Sequence, residues 1–216
     1  VKTGRETEIK RMMEFQVYEP ITPQAAKEYK KVRSKWLDDE KLLPTGEVIV
    51  RSRLVCQEVA YEGRPDVNAP TPPLKAARMV LSLAASKPNK KVNTTALRRM
   101  IAIYDVSVAF FHADMTEPLV VMPPKNCSPV QDGWYMYLLK AMYGSRKASQ
   151  LWGELCATCL GKEGFTRGKS NGSVYYSEGL DICLIIHGDD FCAEGEPESL
   201  DVLDVILAKH FEIKIL

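Results

Sequence analysis

Two adjacent carboxylates at the end of an apolar run constrain this chain more than any other feature. The run Ile182-Cys183-Leu184-Ile185-Ile186 leads through His187 and Gly188 into Asp189, Asp190 and Phe191. An uncharged stretch of this length predicts a buried strand. Neighbours in a regular strand point to opposite faces, so two acids in a row at its end predict a turn. Gly188 lets the backbone take that turn. Two negative charges held together against a core are costly unless a cation compensates them, and hard oxygen ligands suit Mg²⁺. Taken alone, the segment reads first as a solvated hairpin turn, for which Gly-Asp-Asp is ordinary chemistry.

A third acid shifts that balance. Met100-Ile101-Ala102-Ile103-Tyr104 is a second apolar strand, and it ends on Asp105 and Val106. If Asp105 lies on a neighbouring strand, the three acids complete a two-metal site. One ion in such a site lowers the pKa of an attacking 3′-hydroxyl, and the other steadies a triphosphate and the leaving pyrophosphate.

The remaining chain predicts helices mixed with mostly antiparallel strands. Residues 1–19 give no clear element. Thr22 as N-cap and Pro23 at N1 predict a helix over 23–39. Gly46 to Val59 predicts a hairpin strand, 62–73 an irregular loop, and 75–86 a helix with Ala76, Met79, Val80, Leu83 and Ala84 on one face. A polar connection over 87–95 follows. Strands are expected at 100–106, 119–122, 134–139, 173–177, 181–186 and 191–193, with a short helix or turn at 107–115. Longer helices are expected at 147–163, stopped by Gly164, and at 197–210. Without strict alternation of strand and helix, the class is α+β.

Composition sets bounds on partners. With 216 residues and 45% apolar content, the chain can bury a large domain or two smaller lobes. No stretch is long and apolar enough to span a bilayer, so no membrane partner is expected. The start lacks the apolar core of a signal peptide, which points to an intracellular setting. It opens on Val1 rather than Met, as a piece of a longer chain would. Net charge is +1, but the basic residues are grouped: Lys27, Lys30, Lys31, Arg33 and Lys35, then Arg51 and Arg53, then Lys87, Lys90, Lys91, Arg98 and Arg99. Such groups are usually solvated surface and gain meaning only beside a site that needs a polyanion. Among the six cysteines, Cys156 and Cys159 have CxxC spacing but no second pair for zinc, so buried free thiols are expected.

Eight segments, in order, resemble the reverse transcriptase of copia-type LTR retrotransposons. They are Arg51-Ser52-Arg53-Leu54-Val55, Asn68-Ala69-Pro70-Thr71, Asp105-Val106-Ser107-Val108-Ala109-Phe110-Phe111 and Val121-Met122-Pro123-Pro124. Leu139-Lys140-Ala141-Met142-Tyr143-Gly144 with Trp152 follows, then Gly164-Phe165 with Ser170 and Tyr175 or Tyr176. His187-Gly188-Asp189-Asp190 stands where the family has Tyr-Val-Asp-Asp, and Phe211-Glu212-Ile213-Lys214-Ile215-Leu216 closes the series. The resemblance runs from about Thr45 to the end.

The resemblance implies a fold of fingers and palm over 45–216, with 1–44 as an N-terminal extension and helix leading into the fingers. It implies an RNA-directed DNA polymerase that uses two Mg²⁺ ions, or Mn²⁺, held by Asp105, Asp189 and Asp190 beside the Val106 carbonyl. Phe110 falls where a ring stacks under the incoming sugar and excludes a 2′-hydroxyl. Arg51 and Arg53 fall on the fingers hairpin, where basic side chains clamp the triphosphate. Implied partners are an RNA or DNA template with its primer, dNTPs, and the integrase, thumb and RNase H segments of a Pol polyprotein. The implied setting is the cytoplasm, in virus-like particles, and the nucleus. Three positions depart from the family. His187 and Gly188 alter the floor under the primer terminus, and Lys147 replaces a nucleotide-contacting glutamine. These departures motivate an alternative, an inactive retrotransposon relic that still binds nucleic acid. A small-molecule enzyme using the same acids would call for a phosphate-cradling Gly-rich loop, and the sequence has none.

Overall fold

The computed structural model describes residues 1–42, 45–58, 71–86 and 99–216. Residues 43–44, 59–70 and 87–98 lie outside it, and with them most of the expected loop over 62–73, the connection over 87–95, Asn68-Ala69-Pro70, and Lys87, Lys90, Lys91 and Arg98. The elements run α1 (Lys2–Glu14), β1 (Tyr18–Ile21), β2 (Lys31–Leu42), β3 (Val48–Cys56), α2 (Leu74–Ser86) and β4 (Met100–Val106). A 3-10 turn (Ala109–His112), β5 (Val120–Met122), β6 (Tyr135–Leu138) and α3 (Ala148–Lys162) follow. Then come β7 (Thr166–Arg167), β8 (Val174–Ser177), β9 (Ile182–His187), β10 (Asp190–Gly195), α4 (Pro197–His210) and β11 (Ile213–Ile215). The α+β class stands. The chain forms two compact units, residues 1–67 with 110–152 and residues 68–109 with 153–216.

The first unit is built on a five-stranded sheet of order β1-β6-β5-β2-β3. β3 is the expected hairpin strand, and its partner is β2, in register from Ser34–Cys56 to Leu42–Val48. Gly46 in its turn has φ 82°, a left-handed conformation that suits glycine. Met12, Leu54, Phe111, Val120, Val121, Met136 and Met142 are fully buried and form the core. The sequence gives no signal for α1, whose apolar positions are few. It is held instead by β3. Gly4 approaches so closely that a Cβ there would lie 2.5 Å from the Val50 carbonyl oxygen. Arg5 donates to Asp38 at 2.6 Å, and the buried Glu8 meets the Leu54 backbone.

The helix expected over 23–39 does not form. Thr22 caps a single turn: its Oγ1 accepts from Ala25 at 3.3 Å and its carbonyl from Ala26 at 3.0 Å. From Lys31 the chain is extended. No continuous apolar stripe runs along 23–39 to bury a helix face, whereas β2 finds a ladder on both sides, parallel to β5 and antiparallel to β3. Val32 buries on one side of the strand while Lys31, Arg33 and Lys35 stay exposed on the other, the period of a half-buried strand.

The second unit holds a six-stranded sheet of order β11-β4-β10-β9-β8-β7 with every pairing antiparallel. β9 is buried from Ile182 to Ile186 because both faces are covered. Cys183 and Ile185 pack against Ala76 and Val80 of α2, and Leu200, Leu203 and Leu207 of α4 are buried on the other side. β7 and β11 were not expected, being too short for a periodic signal. α3 ends where Gly164, at φ 84°, closes it. Cys156 and Cys159 are buried free thiols in α3, as expected, and burial raises both thiol pKa values.

Candidate active site

The carboxylate pair sits in a hairpin whose geometry follows from its residues. β9 and β10 pair through His187 opposite Asp190, which leaves Gly188 and Asp189 as a two-residue loop. Gly188 has φ 61°, the left-handed first position that tight hairpins demand. β10 also pairs with β4, and there Asp190 lies directly opposite Asp105. The Asp189 carbonyl accepts from the Val106 N–H at 2.9 Å, which fastens the hairpin tip to the end of β4. Two strands far apart in sequence thus bring all three predicted acids, with Val106, to one corner of one sheet.

Directly opposed residues of a sheet share a face. The register therefore forms a row across four strands: Lys214, Asp105, Asp190 and His187. Asp105 and Asp189 are half-buried, while Asp190, His187 and Lys214 are exposed. Lys214 was not singled out from sequence as a site residue, because nothing local shows that β11 lies beside β4. Among the described residues, no group of three or more His, Cys, Asp or Glu side chains is placed so as to hold a metal ion. The donor set, carboxylates beside a strand-end carbonyl, has the hard-oxygen chemistry of a Mg²⁺ or Mn²⁺ site.

Arg51, Arg53, Phe110 and Lys147 all lie in the first unit. Lys35, Leu37 and Asp39 oppose Val55, Arg53 and Arg51, so Lys31, Arg33 and Lys35 share a strand face with both arginines. Two basic groups that are separate in sequence form one surface. Arg51 is exposed, and the Arg53 guanidinium lies 5.6 Å from the centre of the Tyr143 ring. Phe110 meets the same ring edge-on at 5.0 Å, and Phe111 at 5.7 Å. Tyr143 therefore joins two predicted nucleotide-site residues, a role the sequence showed only as part of a motif. Gly144 beside it has φ 79°, and a Cβ there would fall 2.0 Å from the Cys56 carbonyl oxygen. Lys147 is engaged by Glu117 at 2.5 Å. Arg99, counted above among basic surface residues, is instead buried and paired internally.

The profile of the reverse transcriptase (RNA-dependent DNA polymerase) family matches residues 16–216. The chain belongs to the reverse transcriptase family. The match starts ahead of the first resembling segment, so it takes in β1 and β2 as well. A transposon Ty5-1 protein of Saccharomyces cerevisiae is 30% identical over 116 residues, covering 52% of this chain and 38% of that protein. Among solved structures, the foamy viral protease-reverse transcriptase in complex with double-stranded DNA is similar at 12% identity and a TM-score of 0.46. That likeness covers 99% of this chain and 30% of the viral one. The reverse transcriptase chain thus spans less than half the length of either relative.

Proposed function

We propose that this chain supplies the fingers and palm of a copia-type RNA-directed DNA polymerase, with residues 1–44 leading into the fingers and 45–216 forming the polymerase body. The observation that carries the reading is the cross-strand pairing of Asp190 with Asp105 at the hairpin that also holds Asp189. Asp105, Asp189 and Asp190 would hold two Mg²⁺ ions beside the Val106 carbonyl, and these would lower the pKa of the primer 3′-hydroxyl and stabilise charge on the triphosphate. Arg51 and Arg53 would bind the triphosphate, and Phe110 would exclude a 2′-hydroxyl. His187 and Gly188 would lie under the primer terminus. The substrates are a primed RNA or DNA template and dNTPs, and the remaining Pol segments are the partners.

A second reading has its own support. Lys147 is held by Glu117, and His187 and Gly188 depart from the family. An inactive relic would bind primer–template in a salt-sensitive way without incorporating dNTPs. Binding and incorporation measured on one preparation, across a salt series with and without Mg²⁺, separate the two. Mg²⁺-dependent incorporation supports the polymerase. Salt-sensitive binding with no incorporation by the chain in its full polyprotein supports the relic.

A further inference from the structure

At the opposite end of the strands that carry the acids lies a second charged group. The Arg99 side chain is fully buried just ahead of β4, and so is that of Glu194 near the end of β10. Arg99 Nε donates to Glu194 Oε2 at 2.7 Å, Nη1 to Asp181 Oδ2 at 3.1 Å, and Nη2 to the Asp181 carbonyl at 2.5 Å. Tyr176 donates to the other Asp181 oxygen at 3.1 Å. Asp181, at φ 51°, immediately precedes β9. One guanidinium thus ties together the ends of β4, β10 and β9, whose other ends carry Asp105, Asp190 and His187. At about 3.3 Å per residue, the two ends are roughly 20 Å apart.

Apolar patterning fixes the alignment of β4 on β10 at the acid end, where the fully buried Tyr104 opposes the fully buried Phe191, and does little at the other end. Met100, Ile101, Ala102 and Ile103 are apolar at every position, and Met100, Ile101 and Ile103 remain exposed. A strand without a strict alternation is prone to slip, and a slip of one residue sends every side chain to the other face. Such a slip would carry Asp190 away from the face of Asp105. It would also pull Glu194 off Arg99 and strand a charge in the interior, which is strongly unfavourable. Glu194 Oε1 is buried without a hydrogen-bond partner among the described residues, so the pair is not optimised for stability. Fixing register is the best-attested use of such pairs. We propose that the buried Arg99–Glu194 pair, braced by Asp181, is a positioning element that locks the β4–β10 register and thereby sets Asp105 and Asp190 on one face. Its consequence for catalysis rests on the polymerase reading; the register claim does not.

Cross-linking reads register directly. Ala102 opposes Ala193, so A102C/A193C should form the 102–193 disulfide on oxidation. A slip in one direction sets residue 102 opposite the native Cys192, and a slip in the other is reported by I103C/A193C. With Arg99 and Glu194 present, peptide mapping should find only the 102–193 link in A102C/A193C and only the 103–192 link in I103C/A193C. In R99M/E194M, at unchanged helix and strand content, slipped links should rise to at least a tenth of the total. Mg²⁺-dependent kcat should fall in proportion while the dNTP KM stays constant. If R99M/E194M does not fold, E194Q carries the test with a smaller slipped fraction. Exclusively native-register links, 102–193 and 103–192, in the folded charge-removing variant would overturn the proposal. Slipped links in a protein that incorporates no dNTP in any form would leave the register lock standing and overturn the polymerase reading instead.

Discussion

Replacing Gly144 by alanine should destabilise the first unit far more than the same change at Gly133. Both glycines have φ 79°, so both alanines would carry the left-handed backbone cost of roughly 1–2 kcal/mol. At Gly133 no heavy atom lies within 4 Å of the new Cβ, and that cost is the whole effect. At Gly144 the Cβ would lie 2.0 Å from the Cys56 carbonyl oxygen and 2.7 Å from Val55 Cγ1. The two segments must part by about 1.4 Å, from 2.0 Å to the 3.4 Å of ordinary contact. They are joined there by Cys56 N–H to the Tyr143 carbonyl at 2.7 Å and Glu58 N–H to the Gly144 carbonyl at 3.4 Å. Stretching or losing these adds about 1–3 kcal/mol. The total is on the order of 2–5 kcal/mol, or about 10 °C in Tm for a chain of this size, against about 4 °C for Gly133→Ala. Thermal melts of the two variants followed by circular dichroism make the comparison. Melting points within about 2 °C of each other would refute the close approach of Tyr143-Gly144 to the end of β3.

Other consequences are open to measurement. Burial pushes the Glu8 carboxyl up to about 7, against the backbone contact with Leu54 and the charges of Arg53, Arg51 and Arg11. Because the folded state then holds a proton that the unfolded chain releases near pH 4.5, stability should fall as pH rises from about 4.5 to 7, by on the order of 3 kcal/mol. Glu8→Gln should flatten that dependence, and an unchanged urea-midpoint profile would count against the buried carboxyl. Tyr104, fully buried, donates to Asp204 at 2.7 Å. Tyr104→Phe should therefore cost about 1–3 kcal/mol in urea unfolding, and a neutral result would refute that bond. Glu117→Gln should release Lys147 with less than about 1 kcal/mol change in stability, since the ion pair is exposed. If Lys147 serves the triphosphate, the dNTP KM should fall in this variant. A KM that does not move would remove Lys147 from the nucleotide site.

How much of this was legible depends on where the information resides. β9 could be read because Ile182–Ile186 is apolar at every position, and Gly188 ahead of two acids could be read as a turn. The acid triad needed Asp105 on a neighbouring strand; the strand at 100–106 was legible, but its pairing with β10 comes only from the fold. Lys214 and the pairing partner of His187 could not be read, because register across β11, β4, β10 and β9 is a long-range property. The helix expected over 23–39 failed for a related reason. Thr22 and Pro23 are sound local start signals, yet β5, which pairs with Lys31–Arg33, lies 89 residues away in sequence (Lys31 opposite Val120, 120 − 31). Arg99 showed the same limit from the charge side. In sequence it extended a basic run, while its partners Asp181 and Glu194 are 82 and 95 residues distant. Tyr143 was visible only as a motif letter, until Arg53 and Phe110 were found against its ring.

A polymerase of this kind requires Asp105, Asp189 and Asp190 to act as one site. Mg²⁺-dependent dNTP incorporation on a primed RNA template, measured for the full polyprotein and its Asp105→Asn, Asp189→Asn and Asp190→Asn variants, tests this. Each substitution should lower kcat by at least 100-fold, about 2.7 kcal/mol, with primer–template affinity unchanged within threefold. Incorporation by any of the three at the unsubstituted rate would contradict the site as described.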